Sequence, residues 1–350
     1  MSSETDAEPS TTLMLRETAE APAVVARLIE ANEKTCADLA DRLKANPPRF
    51  AVTCARGSSD SAAAYAKYLL ELHLDTVVAS VGPSVTSIYG KQPRMAGALF
   101  IAVSQSGRSP DLLTLAEAAR AEQAITVAVV NDTESPLADL CEVVLPLHAG
   151  PERSVAATKT YVASLAALLQ LAAHWSGDTA LMSAVHRLAD DLNDALACDW
   201  REPLPLLADV DSLYVAGRAP GFAVAQEAAL KMKETCGLHA EAMSAAEMQH
   251  GPLALAGPRF PVIMFSQRDE ALPSLTDIGR QLVDRDVPVL TAGPAEIPGA
   301  ISLPAVTAIH PFAQPLALIQ SFYPLAEVLS RTRGRDPDRP PNLKKVTETL

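Results

Sequence analysis

The sequence predicts an α/β protein built from two copies of one unit, each a five-stranded parallel sheet flanked by helices. Three observations carry this. Short apolar runs bounded by Gly, Ser, Pro or Asp alternate with Ala/Leu-rich helical stretches, the pattern of parallel strands joined by crossover helices. The composition is 48% hydrophobic but only 4% aromatic, which suits helices packed on Val-rich strands buried on both faces. The punctuation also repeats: Gly57 is echoed by Gly217 and Ser104-Gln105 by Ser266-Gln267, at offsets of 160 and 162 residues. Two landmarks at nearly one spacing point to duplication.

In the first unit the expected strands are Phe50–Cys54, Thr76–Ser80, Ala98–Val103, Ile125–Val130 and Val143–Pro146. In the second they are Ser212–Ala216, a short one near His239–Met243, Val262–Ser266, Val289–Thr291 and Ala300–Leu303. A polar, helical stretch from Gly177 to Leu207, closed by Pro203 and Pro205, separates the two. With 350 residues, the chain is about twice the usual ~100–150-residue domain, so two domains are expected. The expected division is a disordered tail over 1–12, a first domain over 13–182, a second over 183–335 and a C-terminal segment over 336–350. From Asp336 onward three prolines and no periodic apolar face predict neither helix nor strand.

A formal net charge of −13 argues against a nucleic-acid or anionic-membrane surface, both of which need clustered Lys and Arg. Cys36, Cys54, Cys141, Cys198 and Cys236 form no CxxC pair and leave one over, as expected of reduced, buried thiols in a cytoplasmic protein. Met1–Thr12 is acidic and Ser/Thr-rich without the basic start and apolar core of a secretory signal. The most apolar stretch, Tyr161–Trp175, is interrupted by Ser164, Gln170 and His174 and is shorter than the ~20 residues of a membrane span. It reads as a buried helix.

Chemistry concentrates at the carboxyl ends of two strands. Ser104-Gln105-Ser106-Gly107-Arg108-Ser109 follows the third strand and opens the helix Asp111–Arg120. Hydroxyls, a glycine allowing close approach and the free amides of a helix N-terminus make a phosphate cradle. Gly57-Ser58-Ser59 after the first strand faces the same crevice, where ligands of open α/β sheets bind. The plainer reading is two Ser-capped strand-to-helix turns; two at one sheet edge favour binding. Screening beyond ~8 Å keeps the distant negative surface from forbidding an anion there.

On the expected helix Ala223–Cys236, Glu227, Lys231 and Glu234 lie on adjacent turns, which alone reads as a solvated Glu–Lys arrangement. His250 precedes a Gly-Pro break. It has no metal-ligand spacing to another histidine, so no metal is expected and a titrating role stays open.

These residues resemble the sugar-isomerase (SIS) domain family, above all the isomerase half of glutamine–fructose-6-phosphate amidotransferases. The similarity runs from about Leu13 onward. Its markers are Gly57-Ser58-Ser59, Val103-Ser104-Gln105-Ser106-Gly107, Val155-Ala156-Ala157-Thr158-Lys159, Leu230-Lys231-Met232-Lys233-Glu234, Glu247-Met248-Gln249-His250-Gly251-Pro252-Leu253 and Asn342-Leu343-Lys344-Lys345. The resemblance implies two tandem SIS domains, each a flavodoxin-like or Rossmann-like three-layer sandwich, with a C-terminal tail over the active site. It also implies that Ser59, Ser104, Gln105, Ser106 and Ser109 hold a phosphate, with Gly57, Val155 and Lys231 at the sugar. Glu234 becomes the base that moves a proton between carbons 1 and 2, burial raising its pKa. His250, from a partner subunit of a homodimer, opens the ring, and Lys345 supplies a Schiff-base amine, with Lys344 beside it as the other candidate. The departures are Arg108 where the family commonly has Glu, and Ser109 where it often has Thr.

The chain begins Met1-Ser2-Ser3 without the amidotransferase's N-terminal catalytic cysteine. The expected activity is therefore a glucosamine-6-phosphate deaminase/isomerase without cofactor. Alternatives are an ammonia-dependent glucosamine-6-phosphate synthase, an enzyme for galactosamine-6-phosphate or a fructosamine phosphate, or a non-catalytic phosphosugar-binding regulator.

Overall fold

The structure, a computed structural model, describes residues 11–345. Residues 1–10 of the expected N-terminal tail and 346–350 of the C-terminal segment lie outside the described residues. The chain opens with helix α1 (Leu13–Ala45). The first unit then runs β1 (Phe50–Cys54), α2 (Ser58–His73), β2 (Val78–Ser80), α3 (Ser84–Ser87), β3 (Ala98–Ser104), α4 (Pro110–Ala121), β4 (Ile125–Val130), α5 (Pro136–Leu140) and β5 (Val143–Pro146). Helices α6 (Lys159–Ser176), α7 (Thr179–Leu196) and α8 (Leu204–Ala208) lead to the second unit. That unit comprises β6 (Ser212–Gly217), α9 (Pro220–Cys236), β7 (His239–Ser244), β8 (Val262–Phe265), α10 (Leu272–Val283), β9 (Val289–Ala292) and β10 (Ile301–Leu303), and α11 (Gln314–Thr332) follows it.

Each sheet is five-stranded and parallel. The first is ordered β2-β1-β3-β4-β5 and the second β7-β6-β8-β9-β10, so the two share one topology. In both, the order reverses between the unit's first and third strands, which leaves a crevice at their carboxyl ends.

Because side chains alternate along a strand, each sheet divides its apolar residues between two cores. Leu99, Ile101, Val103, Val127 and Val129 of the first sheet, with Leu213, Val215, Ile263 and Phe265 of the second, face one shared interior. Val52, Phe100, Ala102 and Ala128 face outward under α4 and α5. Tyr214, Ala216, Val262 and Met264 face outward under α10. The shared interior is filled by α1, α2, α6, α7, α9 and α11, with α2 packed against α9 and α1 along α6. The inner helical layer of each expected sandwich is thus common to both units. Tyr161–Trp175 forms the buried α6 as predicted, with His174 alone in that span half-buried. Among the described residues no helix is long and apolar enough to cross a membrane.

Strand boundaries move by a residue or two. The expected strand at Thr76 starts at Val78, because Asp75 takes a left-handed conformation (φ 48°) and the Thr76 N–H donates to Leu70 O, closing α2. Four cysteines are buried as expected, whereas Cys198 is half-buried at the end of α7. The sequence reading assigned no element to 13–45, where the structure has the 33-residue α1.

Candidate active site

The β1-to-α2 turn is possible because Gly57 has φ 57°, a region costly for residues with a Cβ. The β3-to-α4 loop folds back on itself: the Gly107 N–H donates to Ser104 Oγ (3.0 Å). Gly107 has φ 64°, and a Cβ there would lie 2.1 Å from Ser135 Oγ, so only glycine fits. Ser109 then precedes Pro110 at the first position of α4, and the Ser109 carbonyl accepts the Leu112 and Leu113 N–H groups at 3.1 Å each.

These two turns face a cavity of about 340 Å³. Of the residues the sequence singled out, Gly57, Ser59, Ser104, Gln105, Ser106, Ser109, Val155, Lys231, Glu234 and Lys345 all line it, as does Lys344. His250 does not. It sits exposed in the 3-10 turn Glu247–His250 after β7, away from the crevice of its own chain.

The floor is a charge network on α9. Lys231 is fully buried and donates to Ser58 Oγ (3.0 Å) and Glu234 Oε2 (2.5 Å), with Glu227 Oε1 at 3.3 Å. Burial pushes its amine down, but Glu227 and Glu234 outweigh this and hold it above the ordinary lysine value. The expected burial of Glu234 needs correction, since its side chain is 22% exposed toward the cavity. The fully buried carboxylate is Glu227. Burial raises it to about 7, against the pull of Lys231 and with a further push from Glu234. Tyr323 OH donates to it at 3.2 Å. The three residues that read as a solvated pair in sequence thus form the interior wall, turned inward because α9 packs against α2 and α11.

Residues 336–345 form neither helix nor strand, yet they are held in place. The Asp338 carboxylate accepts the Leu13 and Met14 N–H groups at 2.7 Å each, capping α1, while its carbonyl accepts the Val155 N–H (3.4 Å). The chain then carries Leu343, Lys344 and Lys345 across the cavity. Lys345 Nζ donates to Glu152 Oε2 (3.0 Å). Burial pushes Glu152 up, but Lys345 and hydrogen bonds from Thr160 and Thr158 outweigh it and hold its carboxyl below the usual range.

Sequence reasoning missed Glu152, Asp338 and Arg56. The Arg56 guanidinium lines the cavity and donates twice to Asp111 Oδ2 (2.9 and 2.6 Å). Only Arg56 had an available signal, its place beside Gly57 at the strand end. Among the described residues no cluster of three or more His, Cys, Asp or Glu could hold a metal.

The sequence profile of the SIS domain matches residues 48–174 and 206–291. The isomerizing glutamine–fructose-6-phosphate aminotransferase of Thermotoga maritima is 33% identical over 310 residues, 84% of this chain and 50% of that protein. Its counterpart in Aeropyrum pernix is 35% identical over 266 residues, 71% of this chain and 43% of that protein. The chain spans about half the length of the curated relatives it matches. A solved structure from Silicibacter pomeroyi DSS-3, assigned as a phosphosugar isomerase, is 42% identical, with a TM-score of 0.90 over 94% of this chain and all of that one. The C-terminal domain of a Francisella tularensis glucosamine-fructose-6-phosphate aminotransferase shares the fold at 23% identity, with a TM-score of 0.84 over 97% of this chain and all of that one.

Proposed function

The chain belongs to the SIS-domain family, and from that premise we propose that it is a glucosamine-6-phosphate deaminase/isomerase, converting glucosamine-6-phosphate and water to fructose-6-phosphate and ammonia. The observation that supports this reading is the convergence on one cavity of a serine-rich loop, a carboxylate paired with a buried lysine, and tail lysines. The relatives' names supply the hexose-6-phosphate and the amino transfer.

In this reading Ser59, Ser104, Gln105, Ser106 and Ser109 hold the phosphate, each hydrogen bond to the charged group contributing about 1.5–3 kcal/mol. Gly57 and Val155 bound the sugar. Glu234 takes the carbon-2 proton of the open-chain aldose and returns it to carbon 1, giving the 2-imine. Water adds to the imine carbon, ammonia leaves, and the ketone of fructose-6-phosphate remains. Lys231 holds the Glu234 carboxylate at the reacting carbons. Lys345 condenses reversibly with the open-chain ketose carbonyl, releasing water, and hydrolysis of that imine returns the free amine and the ketose. His250, which is surface-exposed, opens the ring in the cavity of a second copy, so the working unit is a homodimer.

The test is to incubate the protein with glucosamine-6-phosphate, without glutamine, and follow ammonia and fructose-6-phosphate together. Release in equal amounts is expected, and no release of either overturns the reading. Faster formation of glucosamine-6-phosphate from fructose-6-phosphate and ammonium would replace it with the synthase. Mixing His250→Ala with Glu234→Gln protein is expected to restore part of the activity that each variant lacks. No recovery in mixed dimers would remove the borrowed histidine.

A further inference from the structure

We propose that Glu152 is the positioning residue that docks the C-terminal tail, holding the Lys345 amine at the reacting end of the cavity. The proposal rests on the catalytic reading above for what the amine does, and on geometry alone for where it is held. Glu152 follows β5 in the loop that also carries Val155, and its side chain is fully buried. An ionised carboxylate removed from water is costly unless its lone pairs are filled. Here Oε1 accepts the Thr158 (3.0 Å) and Thr160 (3.1 Å) N–H groups, and Oε2 accepts the Thr160 hydroxyl (2.7 Å) and Lys345 Nζ (3.0 Å).

The loop around it is fixed. The Glu17 carboxylate of α1 accepts the Arg153 and Ser154 N–H groups, and the buried Lys159 donates to Pro151 O (2.8 Å). Glu152 is therefore fixed by its own loop independently of the tail. Asp338 ties the base of the tail to α1, and Glu152 receives it seven residues later. Lys344, which lines the same cavity, makes no hydrogen bond or ion pair among the described residues. The anchor thus selects Lys345 over its neighbour.

Glu152→Gln isolates the contact. The amide oxygen still accepts from Thr158 and Thr160, and the Thr160 hydroxyl rotates to accept from the new NH₂. Only Lys345 then meets a donor in place of an acceptor. The experiment compares wild type, Glu152→Gln and Glu152→Asp in three measurements: fructose-6-phosphate affinity, borohydride trapping of the Lys345 imine at saturating ligand, located by peptide mass, and backbone amide exchange over 338–345. In Glu152→Gln the trapped fraction is expected to fall about tenfold or more while affinity stays within about twofold. Tail exchange is expected to rise, with Glu152→Asp intermediate in both. A merely structural role would lower affinity and trapping together, and that result overturns the proposal. So does trapping equal to wild type with unchanged tail exchange. If wild type traps no imine at Lys345, its proposed role fails, and the exchange comparison alone decides the anchor: a rise in Glu152→Gln supports it and no change overturns it.

Discussion

The two halves of the molecule share a strand order and both place a Ser-Gln pair after the third strand, yet only one of the two crevices is built with groups free to meet a ligand. In the first, among the described residues, Ser59, Gln105, Ser106 and Ser109 make no side-chain hydrogen bond to the protein, and all four line the cavity. In the second, Ser266 and Gln267 are buried and held from within, with Gln267 Oε1 alone of their side-chain polar atoms left unpaired among the described residues. Ser266 Oγ donates to Ala292 O and accepts the Ala295 N–H, both at 3.0 Å. Gln267 Nε2 donates to Arg218 O (2.9 Å) and Asp269 Oδ2 (2.7 Å). Gly221 presses so close that a Cβ would lie 2.5 Å from Gln267 Oε1. One loop geometry thus has two settings: in the first unit its polar side chains stay unpaired at the cavity wall, and in the second its donors are turned inward to Ala292 O, Arg218 O and Asp269. The second unit contributes α9 to the first unit's cavity instead, through Lys231 and Glu234.

The largest expected effect breaks the symmetry outright. Glu234→Gln is expected to slow solvent exchange of the sugar's carbon-2 proton, followed by NMR in deuterated water, by about 10²–10⁴-fold, with fructose-6-phosphate binding retained. Undiminished exchange would remove Glu234 as the base. A paired substitution sharpens the contrast between loops. Ser106→Ala is expected to weaken sugar-phosphate binding by about 10–100-fold, equivalent to ~1.5–3 kcal/mol, with little change in Tm. Gln267→Ala is expected to leave binding unchanged and cost about 1–3 kcal/mol of stability, because Arg218 O and Asp269 lose a buried donor. Calorimetry with and without ligand reads both. The same phenotype from the two variants would mean that the crevices do not differ in role.

The strands were legible because central parallel strands are continuous apolar runs, and β3, buried at every position, can scarcely be read otherwise. The serine-rich loop after β3 was legible because its residues are contiguous. The 33-residue α1 was not, since Pro22 interrupts an otherwise regular spacing of Met14, Ala21, Val24, Val25 and Leu28, and proline reads as a helix breaker. Glu152 was illegible for a different reason: its partner Lys345 lies 193 residues away, and a lone Glu after Gly-Pro looks solvated. Asp338, 324 and 325 residues from the amides it caps, sits in a proline-rich stretch whose composition resembles a loose tail. Local pattern reveals elements and contiguous motifs, whereas pairing across such separations needs the fold.

Protonation supplies a smaller, pH-dependent contrast within α9. Glu227 is raised from 4.5 to about 7, so between these values the folded chain keeps a proton that the unfolded chain has lost. Its contribution is then fully present below about pH 4.5 and lost as the pH rises through about 7. The stability of wild type relative to Glu227→Gln is expected to fall across that window by on the order of 1 kcal/mol or more, measured by urea unfolding at a series of pH values. A flat difference would show that Lys231 keeps Glu227 ionised throughout.

The smallest expected effect concerns the tail, which closes over the first crevice alone. The Asp338 carboxylate accepts two of the open amides at the start of α1, with the negative charge at the positive end of the helix. Asp338→Ala removes both the cap and the tether, at an expected cost of about 0.5–2 kcal/mol. If the tether serves the cavity, added fructose-6-phosphate is expected to recover less of that lost Tm than it adds to wild type, because part of the binding energy must now order the tail. A variant whose Tm falls but whose ligand-induced rise matches wild type would show that Asp338 caps the helix and has no part in holding Lys345 over the sugar.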